Sequence, residues 1–293
     1  MNKQTTHVAL ILDSSGSMYR TKAATVQGYN EQVQQIKEDA QDENHDIFVS
    51  LVTFNGSVTE HLWDVPADQL EEASEKDFNP SGSTAMRDAM GHTIQKLLDT
   101  TDSNDEDTAY LVCVISDGEE NSSKHFNASA LKELTESVQN SDHWTINYMG
   151  CDESYLKQIA QETSVPLANC AVWDNNSREY AAKGMQEMGG KLGGYLKSRA
   201  CGQTASRSFH NVSGEESCDN YVVGDDSPQI DPVVQPIDKQ AIIAGLQNTL
   251  DITSSINETS KPSTNVFGVG NKVSPKTWDK YKTSRLPPNI DKV

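Results

Sequence analysis

Apolar and polar residues form two kinds of repeating block along the first 200 residues. Short apolar runs predict buried strands, and they lie at residues 8–12, 47–54, 110–115, 144–149 and 167–173. Between these runs, apolar residues recur every three or four positions and predict amphipathic helices, as at Val26, Tyr29, Val33 and Ile36. Residues 57–65 follow an Asn-Gly hairpin turn, so they should pair antiparallel with the strand before them.

The order of these blocks predicts the fold class. Strands that alternate with helices indicate an α/β, doubly wound and mostly parallel sheet, Rossmann-like, with one antiparallel edge strand and helices on both faces. After residue 200 the periodicity decays into Ser-, Gly-, Asp- and Pro-rich sequence. We therefore predict a domain at 1–200 and a polar, partly irregular C-terminal extension at 201–293, in which Asp238 could cap one short helix.

Oxygen-bearing side chains occur at three places that this fold would bring together. Asp13, Ser15 and Ser17 follow the first strand, Thr84 ends a Gly-Ser-Thr segment before a helix, and Asp117 follows the strand at 110–115. Ligands of doubly wound sheets bind beyond the carboxyl ends of the strands. Carboxylates and hydroxyls are the hard oxygen ligands that suit Mg²⁺, with Mn²⁺ and Ca²⁺ as alternatives.

These three motifs resemble those of a von Willebrand factor type A domain, over about residues 5–200. The resemblance implies a metal-ion-dependent adhesion site. In that family, the two serines, and often the threonine, bind the metal directly, whereas the aspartates that correspond to Asp13 and Asp117 act directly or through water. The resemblance further implies that an Asp or Glu of a protein partner completes the metal shell and that the module is not an enzyme. Two further acidic residues, Glu119 and Glu120, could raise cation affinity or repel an acidic ligand.

Charge narrows the classes of partner. The net charge of −19 argues against nucleic acid and against anionic membrane surfaces, because both repel an acidic protein. Residues 261–293 are basic, with 7 Lys or Arg against 2 Asp. This segment could fold back on the acidic domain and place Asp279 or Asp291 on the metal. The oligomeric state is left open by the sequence.

Other chemistries have weaker support. A phosphoaspartate site needs a second carboxylate where Ser15 stands, no phosphate-binding GxxxxGK[ST] loop occurs, and no histidine is placed to activate a serine. The acidic stretch at 102–107 lacks the glycine and the terminal glutamate of a calcium-binding EF-hand loop. His7, His45 and His143 lie at strand starts, which favours capping or surface roles.

The five cysteines show no zinc-binding spacing. Their odd number, with no signal peptide or membrane-length apolar run, predicts reduced thiols in the cytoplasm. Two functional alternatives stay open beside the binding module. The chain could be a scaffold of a virus particle or other large assembly that binds through its extension, or an accessory subunit of a separate ATP-driven machine.

Overall fold

A computed structural model describes residues 3–103, 105–173, 177–202, 209–211 and 238–242. Strands form at β1 (Gln4–Asp13), β2 (His45–Phe54), β3 (Val58–Pro66), β4 (Thr108–Ile115), β5 (Trp144–Gly150) and β6 (Cys170–Val172). The longer helices are α1 (Lys22–Asp39), α2 (Met86–Thr100), α3 (Ala128–Gln139), α4 (Glu153–Thr163) and α5 (Arg178–Ala200). The single-turn 3-10 helices are Gly16–Arg20, Ala67–Gln69, Leu167–Asn169 and Phe209–Asn211.

The strands form one sheet in the order β3-β2-β1-β4-β5-β6. Only β2 and β3 pair antiparallel, and every other neighbouring pair is parallel. The predicted fold class, including the antiparallel edge strand, is therefore confirmed. Because β1 and β4 are neighbours whose connections leave toward opposite sides of the sheet, the crevice between them is the expected ligand position.

Helices cover both faces of the sheet, which explains the unbroken apolar strands. Side chains of β1 alternate between two cores: Leu10 packs with α1 and α5, whereas Ile11 packs with α2, α3 and α4. In a strand buried on both faces, successive side chains point toward opposite faces of the sheet, and both are shielded from water. The near-continuous apolar runs are the sequence signature of this arrangement.

Close packing of α1 against α5 explains two glycines in these helices. A Cβ on Gly28 would lie 2.4 Å from Cβ of Met185, and a Cβ on Gly193 would lie 2.8 Å from Cδ of Gln35. A larger residue at Gly28 would force the two helices apart, whereas one at Gly193 would displace the Gln35 side chain. Gly190, by contrast, meets nothing within 4 Å, and no packing reason accounts for it.

Two element boundaries differ from the sequence prediction. The helix expected to open at Ser83-Thr84 begins at Met86, with Ala85 as its N-cap, so Thr84 stays in the preceding loop. The last strand, expected at 167–173, begins with a 3-10 turn of three residues, which is followed by the three residues of β6. Within that turn, the side-chain amide of Asn169 donates to the Ile146 carbonyl at 3.1 Å.

Parts of the predicted extension pack on the domain. Phe209 is fully buried among the residues that line the α1 and α5 side of the sheet. Asp238 Oδ1 accepts a hydrogen bond from the Ala241 N–H at 3.0 Å, so the predicted cap is confirmed. Lys239 donates to the Thr101 carbonyl at 2.8 Å. The basic segment at 261–293, with Asp279 and Asp291, lies outside the described residues.

The histidine and cysteine predictions need correction. His7 and His45 are buried rather than at the surface, because each finds a polar partner far away in the sequence. His7 Nδ1 lies 2.6 Å from Asp64 Oδ1, and His45 Nε2 lies 2.8 Å from Thr6 Oγ1. Three of the described cysteines are free, but Cys201 is disulfide-bonded, which contradicts the expectation of five reduced thiols.

Within the described part of the chain, no helix combines the length and the apolar character that a membrane crossing requires.

Candidate functional site

Asp13 is the last residue of β1, and two hydrogen bonds fix its carboxylate. Oδ1 accepts the Ser15 backbone N–H at 2.6 Å, and Oδ2 accepts the Ser116 hydroxyl at 2.5 Å. The side chain is fully buried. Since Ser116 directly follows β4, this pair joins the ends of the two strands that flank the crevice.

The two serines of the first loop extend the site toward solvent. Ser15 is buried and its Oγ lies 3.0 Å from the Oγ of Ser17, which is exposed. Ser17 Oγ in turn donates to Asp117 Oδ1 at 2.5 Å. A chain of oxygen atoms therefore runs from the buried end of β1 to the rim of the loop after β4.

Thr84 joins this group from the loop before α2. A Cβ placed on Gly118 would lie 3.4 Å from both Ser17 Oγ and Thr84 Oγ1, and 3.9 Å from Asp13 Oδ2. One point in space, on the third loop, is thus close to oxygens from the other two loops. The five residues singled out from the sequence come together, and the absence of a side chain at Gly118 leaves their oxygens uncovered.

Backbone hydrogen bonds hold the first loop against the loop before α2. The Gly16 N–H donates to the Gly82 carbonyl at 3.1 Å, and the Ser81 N–H donates to the Ser14 carbonyl at 2.8 Å. The loop before α2 is also fixed to the end of β2, where the Ala85 N–H donates to the Asn55 carbonyl at 2.6 Å. The oxygens are consequently presented by a pre-formed scaffold.

The electrostatics of the site favour a cation. Burial raises the pKa of Asp13 to about 6, even though hydrogen bonds from Ser116 and Ser15 act in the opposite direction, and the nearby charge of Asp117 adds to the rise. A buried carboxylate beside a second one is costly unless a positive charge compensates it. A divalent ion held by two carboxylates and three hydroxyls would supply that charge.

The donor set also limits which metal fits. No group of three or more His, Cys, Asp or Glu side chains that could hold a metal occurs among the described residues. Metal binding here would therefore depend on the hydroxyls of Ser15, Ser17 and Thr84. Neutral and charged oxygens together suit Mg²⁺, Mn²⁺ or Ca²⁺ better than metals that prefer imidazole or thiolate.

Two features of the site were not foreseen from the sequence. Ser116 holds Asp13, and its position next to Asp117 was the only available signal. Glu120 turns away from the site, since its side chain is 4% exposed and accepts the N–H groups of Ser122 and Ser123. Its expected direct effect on the cation or the ligand is therefore not supported, whereas Glu119 is exposed.

Comparison with protein families decides what kind of domain this is. The family model of the von Willebrand factor type A domain (VWA) matches residues 7–184, which is more than half of the chain. The chain belongs to the VWA domain family. No curated protein matches it.

Solved structures of similar VWA-type fold include three from distant sources. A von Willebrand factor type A protein from Catenulispora acidiphila is 17% identical, with 65% of this chain and 43% of that chain covered and a TM-score of 0.48. The PilB minor pilin from Streptococcus sanguinis is 12% identical, with 66% and 62% covered and a TM-score of 0.47.

The third is a mussel byssus protein, proximal thread matrix protein 1, described with a zinc-occupied MIDAS motif. It is 16% identical, with 64% of this chain and 45% of that chain covered and a TM-score of 0.42. The present chain thus spans less than half the length of the first and third of these proteins.

Proposed function

We propose that this VWA domain is a non-enzymatic, divalent-metal-dependent protein-binding module. Mg²⁺, or alternatively Mn²⁺ or Ca²⁺, would bind at the carboxyl edge of the sheet through Asp13, Ser15, Ser17, Thr84 and Asp117. An Asp or Glu of a protein partner would occupy the remaining position on the metal. Mixed ligation by carboxylates and neutral hydroxyls leaves positive charge on the ion, and that charge attracts an external carboxylate.

One observation carries this proposal. Oxygens of Asp13, Ser17 and Thr84, which come from two loops, surround the point where a Gly118 Cβ would lie, and Ser17 links them to Asp117. One of these oxygens belongs to the fully buried carboxylate of Asp13. Among the described residues, this carboxylate accepts hydrogen bonds from the Ser15 N–H and the Ser116 hydroxyl, which are neutral groups and not cations. Such an arrangement gains most from a bound metal.

Calorimetric titration with Mg²⁺ tests the metal site. Wild-type protein is expected to bind one ion, and Ser17→Ala is expected to weaken binding at least about tenfold because a direct oxygen ligand is lost. Ser14→Ala is the matched control, since the Ser14 hydroxyl donates to the Phe54 carbonyl at 2.9 Å and is not among the proposed ligands. Equal Mg²⁺ affinity in both variants would contradict the assignment.

Peptide selection tests the partner chemistry. Random peptides selected on the Mg²⁺-loaded protein are expected to share an Asp or Glu, and changing that residue to Asn or Gln should abolish binding. Chelator should release the same peptides. Peptides that bind equally well in chelator, or without any carboxylate, would refute the role of the metal in partner binding.

The other sequence-based functions stay proposals. Burial of Phe209 gives the extension at least one contact with the domain, which is compatible with a scaffold role for the rest of that segment. An accessory role beside a separate ATP-driven machine is a further alternative. The cytoplasmic location also stays a prediction.

A further inference from the structure

The loop after β4, which carries Asp117, folds back onto the first turn of α2. Glu120 makes the first of its attachments. One oxygen accepts the N–H groups of Ser122 at 2.9 Å and Ser123 at 2.8 Å, and the other accepts the Arg87 N–H at 2.9 Å and the Ser123 hydroxyl at 2.7 Å. Both carboxylate oxygens are therefore used twice, and three of the four donors are backbone or side-chain groups of the loop itself.

Asp88 makes the second attachment from the first turn of α2. Its Oδ2 accepts the Lys124 N–H at 2.8 Å, and its Oδ1 accepts the N–H groups of His125 at 2.9 Å and Phe126 at 2.7 Å. The residue is 7% exposed. Together with Glu120, it accepts the backbone N–H groups of residues 122–126, which would otherwise need water.

Thr84 is tied to the same loop through its own backbone. The Asn121 and Ser122 N–H groups donate to the Thr84 carbonyl at 3.0 and 3.1 Å, and the Thr84 N–H donates to Asn121 Oδ1 at 2.9 Å. The loop that presents Asp117 and the residue Thr84 are thus one hydrogen-bonded unit. The attachments of Glu120 and Asp88 hold that unit on α2.

We propose that Glu120 and Asp88 are positioning residues, which fix Thr84 relative to Asp117 tightly enough for the site to prefer Mg²⁺ over Ca²⁺. This inference depends on the proposed metal site. Mg²⁺ requires near-octahedral geometry at about 2.0–2.1 Å, whereas Ca²⁺ accepts longer and less regular ligation, so rigidity favours the smaller ion. Residues behind direct ligands typically change metal affinity about 10- to 100-fold.

An amide at either position would loosen the loop without removing a proposed ligand. In Glu120→Gln, either orientation of the new amide turns an NH₂ group toward a backbone N–H, since both carboxylate oxygens accept such donors. The same holds for Asp88→Asn. Glu120→Gln also removes the charge that faces Arg87 at 3.8 Å. Glu119→Gln is the matched control because it changes the same charge at an exposed neighbour.

The test compares Mg²⁺ and Ca²⁺ dissociation constants by calorimetry in wild type, Glu120→Gln, Asp88→Asn and Glu119→Gln, with unfolding followed in chelator. Wild type should prefer Mg²⁺. Glu120→Gln and Asp88→Asn should lose about tenfold in Mg²⁺ affinity but little in Ca²⁺ affinity, which mere loss of stability would not produce. Glu119→Gln should keep the wild-type ratio.

Three outcomes would overturn the inference. A ratio of Mg²⁺ to Ca²⁺ affinity in Glu120→Gln and Asp88→Asn equal to that of Glu119→Gln would refute the positioning role while leaving the metal site intact. Equal losses for both ions would mean that the carboxylates only maintain the fold. Absence of Mg²⁺ binding in wild type would instead refute the proposed metal site, and the inference with it.

Discussion

The two ends of the sheet differ in the partners and nearby charges of their buried charged side chains. At the amino end, Arg199 is 1% exposed and donates to Gln4 Oε1 at 2.8 Å, while the Gln4 amide donates to Asp107 Oδ1 at 2.9 Å. At the carboxyl end, the buried Asp13 receives its hydrogen bonds from neutral donors and lies near the negative Asp117. The charge near Arg199, on Asp107, is thus of opposite sign, whereas the charge near Asp13, on Asp117, is of the same sign.

The amino half of the sheet also carries a row of stacked rings. Rings of residues in register on four adjacent strands stack side by side, with centroids 5.5, 5.3 and 4.1 Å apart in the row Phe48, His7, Tyr110 and Trp144. His7 pairs with Asp64, whose backbone has a positive φ of 51°. We interpret the amino end as the part that maintains the fold and the carboxyl end as the part adapted for binding.

Replacement of Arg199 should give the largest loss of stability. Arg199→Met removes the donors to Gln4 and to the Asp107 carbonyl and leaves buried acceptors without a partner, so we expect about 3 kcal/mol less unfolding free energy. Urea denaturation measures this loss, and Lys197→Met, an exposed neighbour in the same turn, is the control. Mg²⁺ affinity should not change. A variant as stable as the control would contradict a stabilising role for the amino end.

His45 should make stability depend on pH. Burial, together with the charge of Arg199, lowers the pKa of His45 to about 4, below its ordinary value near 6.5. Between these values the unfolded chain binds the proton and the folded chain does not. Stability should therefore be fully present above about pH 6.5 and fall as the pH drops toward 4, by about 3 kcal/mol for this residue.

Urea denaturation at several pH values checks this prediction with His45→Gln, which can still hydrogen-bond to Thr6. The variant should lose less stability than wild type on acidification. His61 and His210, whose pKa values burial also lowers to about 4, will contribute a slope in both proteins. Only the difference between the two proteins reports on His45, and parallel pH profiles would argue against its neutral burial.

Much of the fold, and part of the candidate site, can be predicted from the apolar periodicity of the sequence and from the order of its strands. Apolar runs identify the buried strands, and the rule that parallel strands present ligands at their carboxyl ends brings Asp13 and Asp117 to one crevice. Thr84 is predicted instead from its Gly-Ser-Thr segment before a helix, and that helix starts two residues later than expected. The small residues before α2 resemble a helix start, but the backbone there hydrogen-bonds to Asn55 instead.

Residues that depend on distant partners could not be predicted. From the sequence, His7 is predicted to be a surface residue at the start of a strand. Its burial is explained only by its contact with Asp64, which lies 57 residues away in the sequence. From the sequence, Glu120 is predicted to add a negative charge at the metal site. In the structure, its carboxylate instead accepts hydrogen bonds from N–H groups of α2 and of its own loop, which hold it away from the site. Local sequence does not record which of these donors will be nearby.

Asp13→Asn should produce the smallest change in stability, and in the opposite direction to Arg199→Met. Asn can still accept the Ser15 N–H, and its NH₂ group can donate to the Ser116 hydroxyl, so the variant removes a buried charge without removing either hydrogen bond. In chelator we expect Asp13→Asn to be more stable than wild type by about 1 kcal/mol.

Mg²⁺ should reverse this order. At a concentration 100 times its dissociation constant, the ion would stabilise wild type by about 2.7 kcal/mol but would leave Asp13→Asn unchanged. Thermal unfolding of both proteins with chelator and with Mg²⁺ measures the crossover. If wild type were the more stable protein in both conditions, Asp13 would serve the fold rather than the metal, and the two ends of the sheet would not differ as we propose.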